Sequence, residues 1–222
     1  MFASVIAPLT FLALASASPV PASDPGSAWE LSKSNGFHLQ AQLRPGSGDI
    51  DPPVSGGYLS SAHVGAGQNI AIVSGVKPAD GSAYYVNGTE AQGWVDVLTD
   101  LGTTFPWGLN VQDADAFDPA YPGEHGASVN VGGGSDGIAI QRAENLVLLG
   151  GASEGSYAVC NRYIAYWQQD LQVVRYIYPG ESVPEDCVAL DFVPICAELA
   201  PLPEGSDATH EFAQEVDCVV SS

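Results

Sequence analysis

The chain has 222 residues, and its six Lys and Arg stand against 26 Asp and Glu, a formal net charge of −20. A surface of that sign repels phosphate backbones and anionic headgroups, so neither nucleic-acid binding nor electrostatic docking on a membrane is expected. The hydrophobic fraction of 45% is ordinary for a chain with a core, and 25 Gly with 16 Pro imply many turns.

Residues 5–15 are apolar apart from Thr10 and carry no charge, and Ala15-Ser16-Ala17 is an A-x-A match. These features predict a signal peptide over residues 1–17, cleaved after Ala17. The apolar run is too short for a hydrocarbon core of ~30 Å, which takes about 20 helical residues. The C-terminal VDCVVSS lacks the hydrophobic tail of a GPI signal. The protein is therefore expected to be secreted, extracellular or in the cell wall, with no membrane anchor. Residues 18–36 are rich in Pro, Ser and Ala and read as a linker or removed pro-segment, with Trp29 and Leu31 able to dock on the neighbouring domain.

A β-rich domain is expected over residues 37–200. Phe37, Leu39, Ala41 and Leu43 alternate with His38, Gln40, Gln42 and Arg44, the period of a half-buried strand. Further strands are predicted over residues 58–64, 69–74, 83–87, 94–98, 107–111 and 128–131, each bounded by Gly, Pro, Asn or Asp. Asn87-Gly88 predicts a two-residue hairpin turn, because a type I′ turn needs positive φ at both central positions. Residues 137–141 and 145–149 read as a hairpin around Arg142-Ala143-Glu144. The remaining strands are placed at 157–160, 163–167, 172–178 and 187–193, with Pro194 stopping the last or setting it at an edge. One helix is predicted, over 206–216, with Ser206 as N-cap and Phe212 and Val216 on one face. Some ten short strands make an all-β sandwich or barrel, with a β-trefoil as the alternative. A tail occupies residues 201–222.

Four cysteines in an exported chain, Cys160, Cys187, Cys196 and Cys218, imply two disulfides rather than a zinc site, since no C-x-x-C occurs and His210 is the only histidine among them. Three pairings are open, and closing two separate loops favours Cys160–Cys187 with Cys196–Cys218. Such a loop contributes about 3–4 kcal/mol by restricting the unfolded chain.

Motifs that carry chemistry are scarce. The single sequon, Asn87-Gly88-Thr89, predicts a glycan at Asn87 on an exposed hairpin tip. Neither H-E-x-x-H nor G-x-S-x-G occurs. The Gly-rich stretches at 65–67 and 132–134 precede strands, so they read as turns rather than phosphate cradles. Close acidic pairs, Asp49 with Asp51, Asp113 with Asp115 and Glu185 with Asp186, are weighed as a glycosidase dyad, and 26 acids make such pairs common by chance. The acidic loop holding Asp113, Asp115 and Asp118 offers oxygen ligands for calcium but lacks the Gly and terminal Glu of an EF-hand. No cofactor, metal or catalytic residue is expected. Six aromatics fall between Tyr157 and Tyr178, and alternation sends Tyr166 and Trp167 to opposite faces. The residue of that pair left exposed is the candidate for stacking on a sugar ring, and the others are read as core.

A series of short motifs gives this order a family likeness. It runs Phe37-His38-Leu39, Tyr84-Tyr85-Val86-Asn87-Gly88, Pro106-Trp107 and Asn145-Leu146-Val147-Leu148. It continues through Tyr157-Ala158-Val159-Cys160-Asn161, Tyr163-Ile164-Ala165-Tyr166-Trp167 and Glu185-Asp186-Cys187-Val188-Ala189-Leu190. The series resembles small secreted fungal cell-wall proteins of the PhiA type and their uncharacterised relatives, over about residues 37–196. The resemblance implies an extracellular, wall-associated, non-enzymatic β protein and transfers no catalytic residue. The chain departs from the pattern in having no cysteine before Cys160, where PhiA-type proteins carry one, and in adding the tail with Cys218. The leading expectation is a structural or interaction protein of the cell surface whose partner is a wall polysaccharide or an extracellular protein. The alternatives are a carbohydrate-binding module and a secreted effector acting on a host or competitor.

Overall fold

The computed structural model describes residues 29–89, 91, 94–143 and 146–220, so the expected signal peptide and most of the expected linker lie outside the described residues. The described residues fold into fourteen strands with one 3-10 turn at Pro78–Asp80. In chain order the strands are β1 Leu31–Ser34, β2 Gly36–Leu43, β3 Tyr58–Gly65, β4 Gln68–Ser74, β5 Ala83–Thr89, β6 Trp94–Thr99 and β7 Trp107–Val111. They continue with β8 His125–Val131, β9 Ile140–Ala143, β10 Leu146–Leu149, β11 Ser156–Ile164, β12 Gln169–Ile177, β13 Cys187–Ala197 and β14 Val216–Val219.

The all-β expectation holds, and the architecture is a sandwich closed into a barrel. The pairings β2–β3, β3–β4, β4–β12, β12–β11, β11–β13 and β13–β2 complete a ring. A second path leaves β2 through β5, β6 and β7 and returns in β8, which pairs with both β4 and β12. The sequence alternation explains why the ring closes inward. Phe37, Leu39 and Ala41 of β2 are buried while His38 and Gln40 are half-buried. Tyr157, Tyr176 and Phe192 meet edge to face inside the ring, with centroids 5.3 and 5.5 Å apart. Tyr176 also requires bare backbone beside it. A Cβ on Gly151 would stand 1.9 Å from its hydroxyl, which donates to Ser153 O at 3.0 Å.

Several expectations are corrected. The C-terminal part of the expected linker, residues 31–34, is strand β1, which pairs antiparallel with β14 of the tail. Asn87 and Gly88 do not turn: β5 runs through them to Thr89, with Asn87 opposite Asp96 and Gly88 opposite Val95. Tyr163 lies inside β11, one residue before its end, rather than opening a strand over 163–167, and Ala165–Gln168 is a hairpin loop between Ile164 and Gln169. Gln168 takes a positive φ of 52° there, the left-handed residue that closes such a loop. Pro194 lies inside β13. The pairing to β11 stops at Leu190 and that to β14 begins at Ile195, so β13 has only β2 beside it at Pro194, and its missing N–H is tolerated at this local edge.

The predicted helix over 206–216 is absent. Residues 206–214 are instead laid across β5 and the loop after β6. Ala208 N donates to Thr104 O, Gln214 N to Val86 O, and Gly88 N to Phe212 O. Tertiary partners took the backbone groups that a helix would have satisfied internally. Both disulfides pair as the loop argument favoured, Cys160–Cys187 and Cys196–Cys218, and the second ties the tail to β13.

Candidate functional site

Of the six aromatics between Tyr157 and Tyr178, Tyr157 and Tyr176 are core and Tyr178 is half-buried. The other three are exposed together: Tyr163 by 54%, Tyr166 by 60% and Trp167 by 46%. The alternation expected to separate Tyr166 from Trp167 does not apply, because both stand in the loop and neither is in a strand. The tip is held by its neighbour, the β3–β4 hairpin. Trp167 Nε1 donates to His63 O at 2.8 Å, and the Tyr166 ring meets the His63 ring edge-on at 5.6 Å. The polar edge of Trp167 is thus engaged while 46% of the residue stays in solvent. Tyr166 and Trp167 lie 6.4 Å apart at 57°, a tilted pair and not a flat platform.

A groove of about 380 Å³ begins beside this tip, lined among others by Asp51, Pro52, Ser74, Asn161, Asp170 and Gln172. Its placement results from strand register. Tyr163 is opposite Asp170 and Asn161 is opposite Gln172, so these four side chains share one face of the β11–β12 hairpin. Asn161 Nδ2 donates to Asp51 O at 2.8 Å, and Gln172 Nε2 donates to Pro52 O, which staples the 49–55 loop to the hairpin. Asp49 anchors the same loop by accepting from the amides of Ile50, Val54 and Ser55. Asn161, Asp170 and Gln172 were not singled out from sequence. The signal was there, in polar residues two apart on each of two adjacent strands.

Behind the groove lies an ionic cluster. Glu124 accepts from Arg162 Nε at 3.0 Å and stands 2.7 Å from Arg175 Nε, close enough for an ion pair though not aligned as a hydrogen bond. Asp186 holds Arg162 at 2.6 Å and Asp118 holds Arg175 at 2.9 Å. Both guanidinium groups lie over the Tyr121 ring, at 5.1 and 5.3 Å from its centre. The hydrogen bond to Glu124, outweighing desolvation, holds the Arg162 proton above the ordinary arginine range. A separate hydrogen bond, from Arg162 Nη1 to Asp186, pulls the Asp186 carboxyl below its usual range.

Several of the candidate catalytic and metal groups are taken up in structural roles, Asp49 and Asp186 among them. Asp118 of the acidic loop serves Arg175 rather than facing outward with Asp113 and Asp115. Glu124, Cys160 and Cys187 come together, but both sulfurs are in the disulfide and offer no thiolate. His125 is buried, with Nδ1 2.8 Å from Ala116 O and Nε2 2.9 Å from Glu181 Oε1. His210 of the tail lies 2.9 Å from Asp100, which also accepts from Tyr85 at 3.0 Å. Burial first, and Asp100 beside it, push the Tyr85 hydroxyl far above its ordinary range, so it holds its proton.

Asn87 is only 5% exposed, not on an exposed tip. Its Nδ2, the atom a glycan would occupy, faces Thr209 O at 3.5 Å beneath the tail, and its Oδ1 has no hydrogen-bond partner among the described residues.

Residues 34–196 match the family model described as a domain of unknown function, DUF7907, and the chain belongs to that family. A relative from Stachybotrys chartarum, named antigenic protein SchS34, is 30% identical over 200 residues, covering 84% of this chain and 86% of the relative. No solved structure matches the chain. The likeness to PhiA-type proteins rests on the residues quoted for it alone.

Proposed function

We propose that this member of the DUF7907 family is a secreted, non-enzymatic interaction protein of the cell surface or wall, and that it binds wall polysaccharide through the β11–β12 tip. The observation that supports it is the joint exposure of Tyr163, Tyr166 and Trp167 on a loop braced from below. Large aromatics left in water on a rigid hairpin are costly unless they meet a partner, and sugar rings present the apolar faces that fit them. The two disulfides suit an oxidising compartment. The non-enzymatic reading is supported by the two histidine–carboxylate pairs, each of which has a holding role. One ties the loop after β12 to the start of β8 and the other fixes the tail.

A second reading, a secreted effector acting on a host or competitor, is favoured by the name of the Stachybotrys relative as an antigenic protein. It needs the same export and disulfides but a protein partner.

The test is retention of the secreted protein on insoluble chitin, β-glucan and cellulose at pH 5 and pH 7. Retention on one polymer, lost in Trp167→Ala and in Tyr163→Ala, is expected. Lack of retention on all three would remove the reading for neutral wall polymers and leave a charged polysaccharide or a protein as the partner.

A further inference from the structure

The groove beside the aromatic tip has a chemical bias. Its side-chain donors are turned inward: the Asn161 and Gln172 amide nitrogens hold the 51–52 backbone, and the Ser74 hydroxyl donates to Asp80 O at 3.0 Å. What it turns outward is acceptor in character. Asp51 and Asp170 are exposed, and neither carboxylate has an ion-pair partner among the described residues. Of the six Lys and Arg, five (Lys33, Arg44, Arg142, Arg162 and Arg175) are each paired with acids, and the sixth, Lys77, is exposed three residues past Ser74, so acids outnumber the free cations around the groove. The tip therefore sits in the field of a −20 protein with two free carboxylates beside it.

We propose that this groove and tip bind a cationic amino-sugar chain, a glucosamine polymer of the kind found in deacetylated chitin. Sugar rings stack on Tyr163 and Trp167, while ring ammonium groups pair with Asp170 and Asp51. Two features favour this over a basic peptide. The aromatic surfaces match pyranose faces, and the amide carbonyl oxygens of Asn161 and Gln172 are acceptors for sugar hydroxyls. The assignment rests on the polysaccharide reading above and adds to it the charge of the ligand.

The experiment is titration calorimetry of the full chain at pH 5, where the amino groups of the sugar are protonated. The probes are the hexamers of glucosamine, N-acetylglucosamine and glucose (β-1,4-linked) and a lysine hexamer. Glucosamine hexamer is expected to bind about tenfold tighter than its N-acetylated counterpart, since two exposed ion pairs, each of about three- to fivefold, are at stake. Asp170→Asn, at an exposed position where the fold is indifferent, should weaken it about three- to fivefold. Raising salt should weaken it further, as the screening length falls. Equal binding of the neutral hexamers with no effect of Asp170→Asn would overturn the inference while leaving the polysaccharide reading standing. Lysine hexamer binding as well as glucosamine hexamer would overturn it too, because net charge alone would then suffice. Failure of every sugar to bind would overturn both.

Discussion

Replacing Glu124 by Gln removes the one carboxylate that serves both buried guanidinium groups. The Glu124 side chain is 11% exposed, and those of Arg162 and Arg175 are 6% and 4%. Deleting one partner from a buried ion pair costs about 3–5 kcal/mol, because the remaining charge stays in a poor solvent. Here two charges remain, with partial relief. Asp118 still reaches Arg175 at 2.9 Å, while Asp186 on Arg162 is 69% exposed and screened by water. Arg175 Nη2 already lacks a hydrogen-bond partner among the described residues, so it has little reserve of contacts to draw on. The expected loss is about 3 kcal/mol, at the low end of that range. For a domain of this size the melting temperature should fall by about 6–12 °C. Urea unfolding followed by tryptophan fluorescence, with disulfides kept oxidised, reads the same change as a shift in midpoint at unchanged slope. A loss under about 1 kcal/mol would refute the reasoning, since it would mean that water or rearrangement already solvates the cluster. Replacing Glu124, Arg162 and Arg175 together by Leu, Met and Met should cost less than Glu124→Gln alone, because the charges then left unpaired, Asp118 at 23% exposed and Asp186 at 69%, are within reach of water.

Two further outcomes are expected from the structure. Acidification from pH 7 to pH 5 should leave the melting temperature level or raise it, and a fall should begin below about pH 4. Asp186, Glu181 and Asp217 have folded pKa values below the usual carboxylate range, so their contribution is fully present above that range and is lost only as pH drops through it. Asp96, raised mainly by desolvation, acts in the opposite sense and favours the fold in acid, as does relief of the −20 charge. His38, lowered by burial, works against this trend below pH 6.5, and a melting temperature falling steadily from pH 7 to pH 5 would show that it prevails. The folded, secreted protein should carry no glycan at Asn87, because the tail covers its Nδ2. Intact mass of the wild type and Asn87→Gln checks this, and a glycan-sized difference would mean that the tail lies elsewhere.

The strands were legible because their signal is local. Residues 107–111 were placed to the residue, and β2, β3 and β4 to within one, since alternation and bounding glycines are properties of neighbours. The misreadings share a cause of the opposite kind. Asn87-Gly88 has ideal turn chemistry, yet its backbone is held straight by β6 on one side and by Ala213 of the tail on the other. The 206–216 segment has a helical cap and stripe, yet its amides find Thr104 and Val86. In each case a contact more than a hundred residues away outweighed a local preference of about 1 kcal/mol. The binding face was half legible. Tyr166 and Trp167 stood out by composition, but Asp170, Asn161 and Gln172 matter only through the register that puts them beside Tyr163.

The pairing of Leu31 with Val219 also sets an order of assembly. During synthesis Cys160 and Cys187 emerge with their mutual register already encoded in β11 and β13, where they are directly opposite. Cys196 emerges next, before its own partner exists outside the ribosome. Until Cys218 and β14 arrive, its thiol faces only wrong mates, and β1 has no strand to pair with. The arrival of β14 thus covers the outer edge of β13 and withdraws the Cys196 sulfur at once. A chain stalled or clipped before Val216 would display an open edge and a free thiol together, the two features by which an exporting cell can recognise an unfinished protein.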